Sequence, residues 1–102
     1  MKSPEACASL LDIRTEIDRI DRAVIALWAE RFTYVKAAAP FKSTQHQVAA
    51  PERLQAMLQQ RREWAIVANL NPDVIEQLYR DLVNYFINEE MQHWRSSADS
   101  QD

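Results

Sequence analysis

Residues 10–38 read LLDIRTEIDRIDRAVIALWAERFTYVKAA. Counting through this stretch in alternating steps of three and four gives Leu10, Ile13, Ile17, Ile20, Val24, Leu27, Arg31, Tyr34 and Ala38, which is one face of an α-helix. Arg31 holds a position that the pattern would otherwise give to an aliphatic residue. No Gly or Pro falls between Cys7 and Ala39. At about 1.5 Å per residue the helix is roughly 40 Å long, more than the width of a compact domain of this size. A helix of that length needs a partner, and the three-four spacing suits antiparallel pairing within the chain or across a homodimer.

Composition narrows the fold class. The chain has 102 residues, enough for one domain but marginal for burying a sizeable core alone, so dimerisation would help. It is 47% hydrophobic and 26% charged, which is globular rather than disordered, and it has no glycine, which points away from hairpin-rich β architecture. An all-α fold is expected. The net charge of -3 carries no basic excess, and Lys and Arg form no long run, so no nucleic-acid partner is expected. A single cysteine excludes an intrachain disulfide framework. The start Met-Lys-Ser-Pro-Glu lacks a signal-peptide pattern, and no stretch has membrane-spanning length, so the default expectation is a reduced, cytoplasmic protein without a membrane partner.

The remaining elements follow from caps and breakers. Ser3-Pro4-Glu5 can cap a short first turn, and Ser9-Leu10-Leu11-Asp12 is close to a capping box with Asp in the acidic position. The long helix starts at one of these signals and ends near Ala39, because Pro40 disfavours helical backbone in the residue before it. Phe41–Ala50 has no periodicity and reads as a loop. Pro51-Glu52-Arg53 restarts helix, with Leu54, Met57, Leu58, Trp64 and Ala65 at helical spacing to about Ala68. Asn71-Pro72-Asp73 opens a third helix that runs to about Arg95. Its apolar residues are Ile75, Leu78, Tyr79, Leu82, Val83, Phe86, Ile87, Met91 and Trp94, and a frayed tail, residues 96–102, is expected to follow. One domain, residues 1–102, accounts for the whole chain.

Four charged residues share a face or a neighbourhood with apolar ones. Arg31 lies in the stripe, Arg14 sits beside Ile13, Glu90 follows Ile87 and Phe86 by three and four, and Lys42 lies just past the long helix. Each has a plain structural explanation. The arginines could form partly buried salt bridges with Asp18, Asp21 or Glu30, Lys42 could be a solvated loop lysine, and Glu90 an edge residue beside Glu89. Arg14 and Arg31 are 17 positions apart, roughly 25 Å along one helix, too far to grip one small ligand. If they share a site, they come from different chains, and an antiparallel crossing of two long helices would bring Arg14 of one towards Arg31 of the other, twice by symmetry. Three cations around an apolar cleft suit a small dicarboxylate, since arginine can bind a carboxylate through two parallel hydrogen bonds.

Other chemistry has little to work with. His46 and His93 lack Cys or carboxylate neighbours at metal-ligand spacing, Cys7 has no nearby His, and a chain without glycine has no glycine-rich phosphate loop. A metal site is not expected, and a reaction here would depend on positioning and electrostatic stabilisation rather than on a protein nucleophile.

Ile13-Arg14, Ile17-Asp18-Arg19-Ile20-Asp21, Ala29-Glu30-Arg31, Tyr34-Val35-Lys36-Ala37-Ala38, Phe41-Lys42, Pro51-Glu52-Arg53 and Trp94-Arg95 together resemble the all-helical chorismate mutase superfamily. Within it they look most like the isochorismate-pyruvate lyases of siderophore-linked salicylate biosynthesis. The similarity runs from Met1 to Arg95 without a gap. The resemblance implies an intertwined homodimer of three-helix chains with two equivalent sites. Each would take Arg31, Lys42 and the residue at position 90 from one protomer and Arg14 from the other. It further implies that Arg14 and Arg31 hold the two carboxylates of isochorismate and that Val35, Ala38 and Ile87 line an apolar wall. Lys42, on a loop that orders over the ligand, would stabilise negative charge developing near the ether oxygen. The implied reaction is a cofactor-free pericyclic elimination, in which a hydrogen moves from the ring to the enolpyruvyl methylene, pyruvate leaves and salicylate remains.

Two positions refine that expectation. The bacterial mutases of this superfamily place an arginine where this chain has Pro51, ahead of a glutamate matching Glu52, which favours lyase over mutase and leaves a weak secondary conversion of chorismate to prephenate. Glu90 stands where the family usually has glutamine, whose amide N–H donates to the ether oxygen. An ionised carboxylate has no proton to give, so only a protonated Glu90 could take that part. Phe86, Ile87 and Trp94 favour the neutral form by desolvation, and Arg31 and Lys42 favour the charged one. The sequence leaves that balance open. A chorismate mutase of aromatic amino-acid synthesis and a non-catalytic helical dimerisation module are the alternatives.

Overall fold

The computed structural model of the chain describes residues 1–99. The fold is all-α. Helix α1 spans Leu10–Ala38, a short helix α2 spans Gln45–Ala49, α3 spans Pro51–Val67 and α4 spans Pro72–Asp99, with single 3-10 turns at Pro4–Ala6 and Ala39–Phe41. The chain divides into two units, Met1–Tyr34 and Val35–Asp102.

The first unit is the leading turn and most of α1. Ser3 caps the Pro4 turn, its Oγ accepting from the Ala6 amide. Ser9 Oγ accepts from the Asp12 amide at 3.1 Å while Asp12 Oδ2 accepts from the Ala8 amide at 2.9 Å, a capping box closed one residue early. Lys2 ties the N-terminus down, with Nζ 3.2 Å from Asp12 Oδ2 and its amide donating to Glu16 Oε1. These bonds hold both carboxyls below their ordinary range, Asp12 first through the Ala8 amide and then Lys2, Glu16 first through Arg19 and then the Lys2 amide. No residue of α1 is buried. Its stripe is in contact with solvent, Leu10 and Leu27 each at 61% exposure.

The second unit holds the core. The turn joining α3 to α4 is a Schellman motif in which Leu70 N–H reaches Ala65 O and Asn69 N–H reaches Ile66 O. Asn69 takes the left-handed conformation, φ 61°, that asparagine tolerates better than most residues. Asn71 Oδ1 then accepts from Asp73 and Val74 and starts α4. The hairpin packs Met57, Leu58 and Val83 together, with Leu54, Tyr79 and Ile87 against them. Trp64, expected to face inward, is half exposed, and the Arg61 guanidinium stacks on it at 4.5 Å.

Two expectations are corrected. The segment 41–50 is not a plain loop, because Gln45–Ala49 is helical. Thr44 Oγ1 caps it by accepting from the Gln47 amide, Gln47 Oε1 accepts from the Ser43 amide at 2.6 Å, and Val48 is buried at 1% exposure. A single helical turn has too few residues to display a period, so capping and burial of one valine establish it instead. The last helix does not stop at Arg95 but continues to Asp99. Residues 96–99 include neither Gly nor Pro, and extending an existing helix costs far less than starting one. The rest of the expected tail, residues 100–102, lies outside the described residues.

Candidate active site

Lys42 and Glu90 meet although 48 residues separate them. Pro40 ends α1, and the 3-10 turn Ala39–Phe41 delivers Lys42 in extended backbone, its amide bonded to Ala39 O at 3.1 Å. Ala39 is buried at the root of this turn. The turn and α2 both pack on α4, and Glu90 is buried on that helix at helical spacing from buried Phe86 and half-buried Ile87.

The resulting contact is a charge pair. Lys42 Nζ donates to Glu90 Oε2 at 2.7 Å, and the two side chains are 24% and 3% exposed. A carboxylate this deep is costly without a partner, and the ammonium supplies one in a short, charge-assisted bond. The plain explanations for both residues therefore fail. Lys42 is not a solvated loop lysine, and Glu90 is the inward member of its acidic pair, with Glu89 half-buried beside it. Trp94, one turn further along α4, donates its indole N–H to the Lys42 carbonyl at 2.8 Å. Sequence reasoning used Trp94 as an apolar neighbour of Glu90 and not as a hydrogen-bond donor. Its spacing of four from Glu90 marks a shared face, but nothing in a spacing identifies a carbonyl 52 residues away as the acceptor.

The other expected site residues are placed as follows. Val35 and Ala38, at the end of α1, and Ile87 on α4 are half-buried, and Ile87 packs against the Met57–Leu58–Val83 core. Arg14 and Arg31 both lie on the part of α1 that belongs to the first unit, Arg14 exposed and Arg31 half-buried. Glu16, close to Arg14 in sequence, bonds to Arg19 at 2.7 Å. Among the described residues no group of three or more His, Cys, Asp or Glu could hold a metal ion, and no helix is long and apolar enough to cross a membrane.

Residues 13–91 match the family model for chorismate mutase type II. The chain is 40% identical over 97 residues to an isochorismate pyruvate lyase of Pseudomonas aeruginosa, a match covering 95% of this chain and 96% of that protein. It is also 43% identical over 74 residues to the T-protein of Haemophilus influenzae, covering 71% of this chain but 19% of that longer protein. With the match running from the first turns of α1 to just past Glu90, and a full-length homologue beside it, the chain belongs to the chorismate mutase type II family.

Proposed function

We propose that the protein is an isochorismate-pyruvate lyase, eliminating pyruvate from isochorismate to leave salicylate, with weak chorismate mutase activity as a secondary reaction. The observation that carries this reading is the inward-facing Lys42–Glu90 pair at 2.7 Å, in a chain alike over 95% of its length to a lyase of that name. A positioned ammonium suits an elimination that develops negative charge as a carbon–oxygen bond breaks and needs no nucleophile. Salicylate so formed would serve siderophore biosynthesis, and the enzyme would work in the cytoplasm.

In this reading Lys42 stabilises the charge developing near the ether oxygen. Arg31 of one protomer and Arg14 of its partner hold the two carboxylates of the substrate, and Val35, Ala38 and Ile87 form the apolar wall beside the ring. The substrate's hydrogen passes directly from ring to methylene, so the protein moves no proton in that step. Glu90 can donate to the ether oxygen only when it carries a proton. In its ionised form it neutralises Lys42 and repels a dianion.

Support for the homodimer is the solvent-exposed apolar stripe of α1, with Ile17 at 49% and Ile20 at 48% exposure. A row of this length on a single chain is the signature of an interface.

Isochorismate and chorismate, supplied separately at about pH 5 and about pH 7.5 with salicylate followed by fluorescence, test the reading. Salicylate from isochorismate is the expected result. No salicylate at either pH overturns it, and turnover of chorismate in that case identifies a mutase.

A further inference from the structure

Lys42 has three polar backbone and side-chain groups, and each has a partner. Its amide is bonded to Ala39 O within the same turn, its Nζ to Glu90 and its carbonyl to the Trp94 indole. The last two partners lie four residues apart on α4, so one face of one helix grips Lys42 at both ends. The proposed reaction needs Lys42 Nζ at the substrate, and a contact at the tip of the side chain leaves the flexible stem behind it unplaced. When Nζ turns to the ligand, the carbonyl contact still ties the Lys42 backbone to α4. That contact fixes where the flexible lysine stem begins, and a residue-scale misplacement of a catalytic group is expensive in rate.

We infer that Trp94 is a positioning residue of the lyase, whose indole N–H holds the Lys42 carbonyl and so sets the place from which the ammonium reaches the breaking bond. This rests on the lyase reading above. Trp94 is half-buried and ends its contact at a main-chain oxygen, so it acts through Lys42 and not on the substrate. Ser43 and Thr44 fix the residues just after Lys42 through Gln47. Those bonds are local to the 43–47 turn, and the Trp94 bond refers Lys42 itself to the helix that carries Glu90.

The test is Trp94→Phe, which keeps an aromatic ring and removes the N–H, assayed on isochorismate alone and together with Lys42→Ala. The expected result is a fall in kcat of about 10-fold with KM changed by less than about threefold. In the Lys42→Ala background, where no ammonium remains to be placed, the same substitution should change kcat by less than about twofold. An active unaltered enzyme whose Trp94→Phe variant keeps its kcat overturns this role and leaves the lyase reading intact. So does an equal loss in both backgrounds, which assigns Trp94 to general packing. An unaltered enzyme that forms no salicylate overturns the lyase reading and this role with it.

Discussion

Glutamate at position 90 can be changed to glutamine with little change of shape, and that substitution separates charge from packing. Glu90→Gln keeps an acceptor for Lys42, supplies an amide N–H at every pH and removes the negative charge that opposes a dianionic substrate. With that charge gone, Glu90→Gln should turn isochorismate over faster and with a lower KM than the natural glutamate at neutral pH. A Glu90→Gln variant with unchanged kcat and KM removes Glu90 from the mechanism. Lys42→Ala works on the other partner. It should lower kcat by about 10²–10³, the usual cost of deleting one stabiliser of developing charge. It also leaves Glu90, 3% exposed, without its cation, so urea unfolding should show a loss of roughly 3 kcal/mol. Glu90→Gln together with Lys42→Ala should recover much of that stability and none of the activity.

Among the elements, the short segment between α1 and α3 carries a visible strain. Ala50 has φ 43° and ψ 58°, a left-handed conformation in a residue with a β-carbon. It is both the end of α2, its amide bonded to His46 O at 2.7 Å, and the start of α3, its carbonyl accepting from Leu54. Ala50→Gly relieves the steric cost and adds chain entropy to the unfolded state, so a net stabilisation of about 0.5 kcal/mol by urea unfolding is expected. The N-terminal turn responds to pH instead. Asp12 and Glu16 have lowered folded values, so their ionised forms favour the folded turn. That contribution is complete above the ordinary carboxylate range and is lost as pH falls through the lowered values. The Ala8 and Lys2 amide protons, which donate to these carboxylates, should shift in NMR spectra over that acid range, and they should stay constant above it.

At the scale of the whole molecule the test concerns the shared site. If each site takes Arg31 from one protomer and Arg14 from the other, Arg14→Ala and Arg31→Ala are each inactive alone. A mixed dimer of the two variants has one intact site and one doubly altered site. Random exchange of equal amounts should therefore restore about a quarter of the unaltered activity, from statistics alone. No recovery after exchange, with mixed dimers shown by native mass spectrometry, overturns the shared site. The same dimer makes thermal stability depend on protein concentration. Ile17→Glu, in the middle of the exposed stripe, should abolish that dependence.

The sequence by itself determined the all-α fold, the end of α1, the Asn71 cap and the family, because caps, breakers and helical spacing are local and the matching motifs are short runs in order along the chain. It also singled out Lys42 and Glu90 as charges among apolar residues. It could not distinguish a buried Glu90 from an edge residue, nor see the single turn Gln45–Ala49, whose formation rests on one cap and one buried valine. Only the tertiary structure joined Lys42 to Glu90 and Trp94 across 48 and 52 residues. Such contacts depend on where the Ala39–Phe41 turn packs against α4, and packing between segments distant in sequence leaves no periodic trace in either of them.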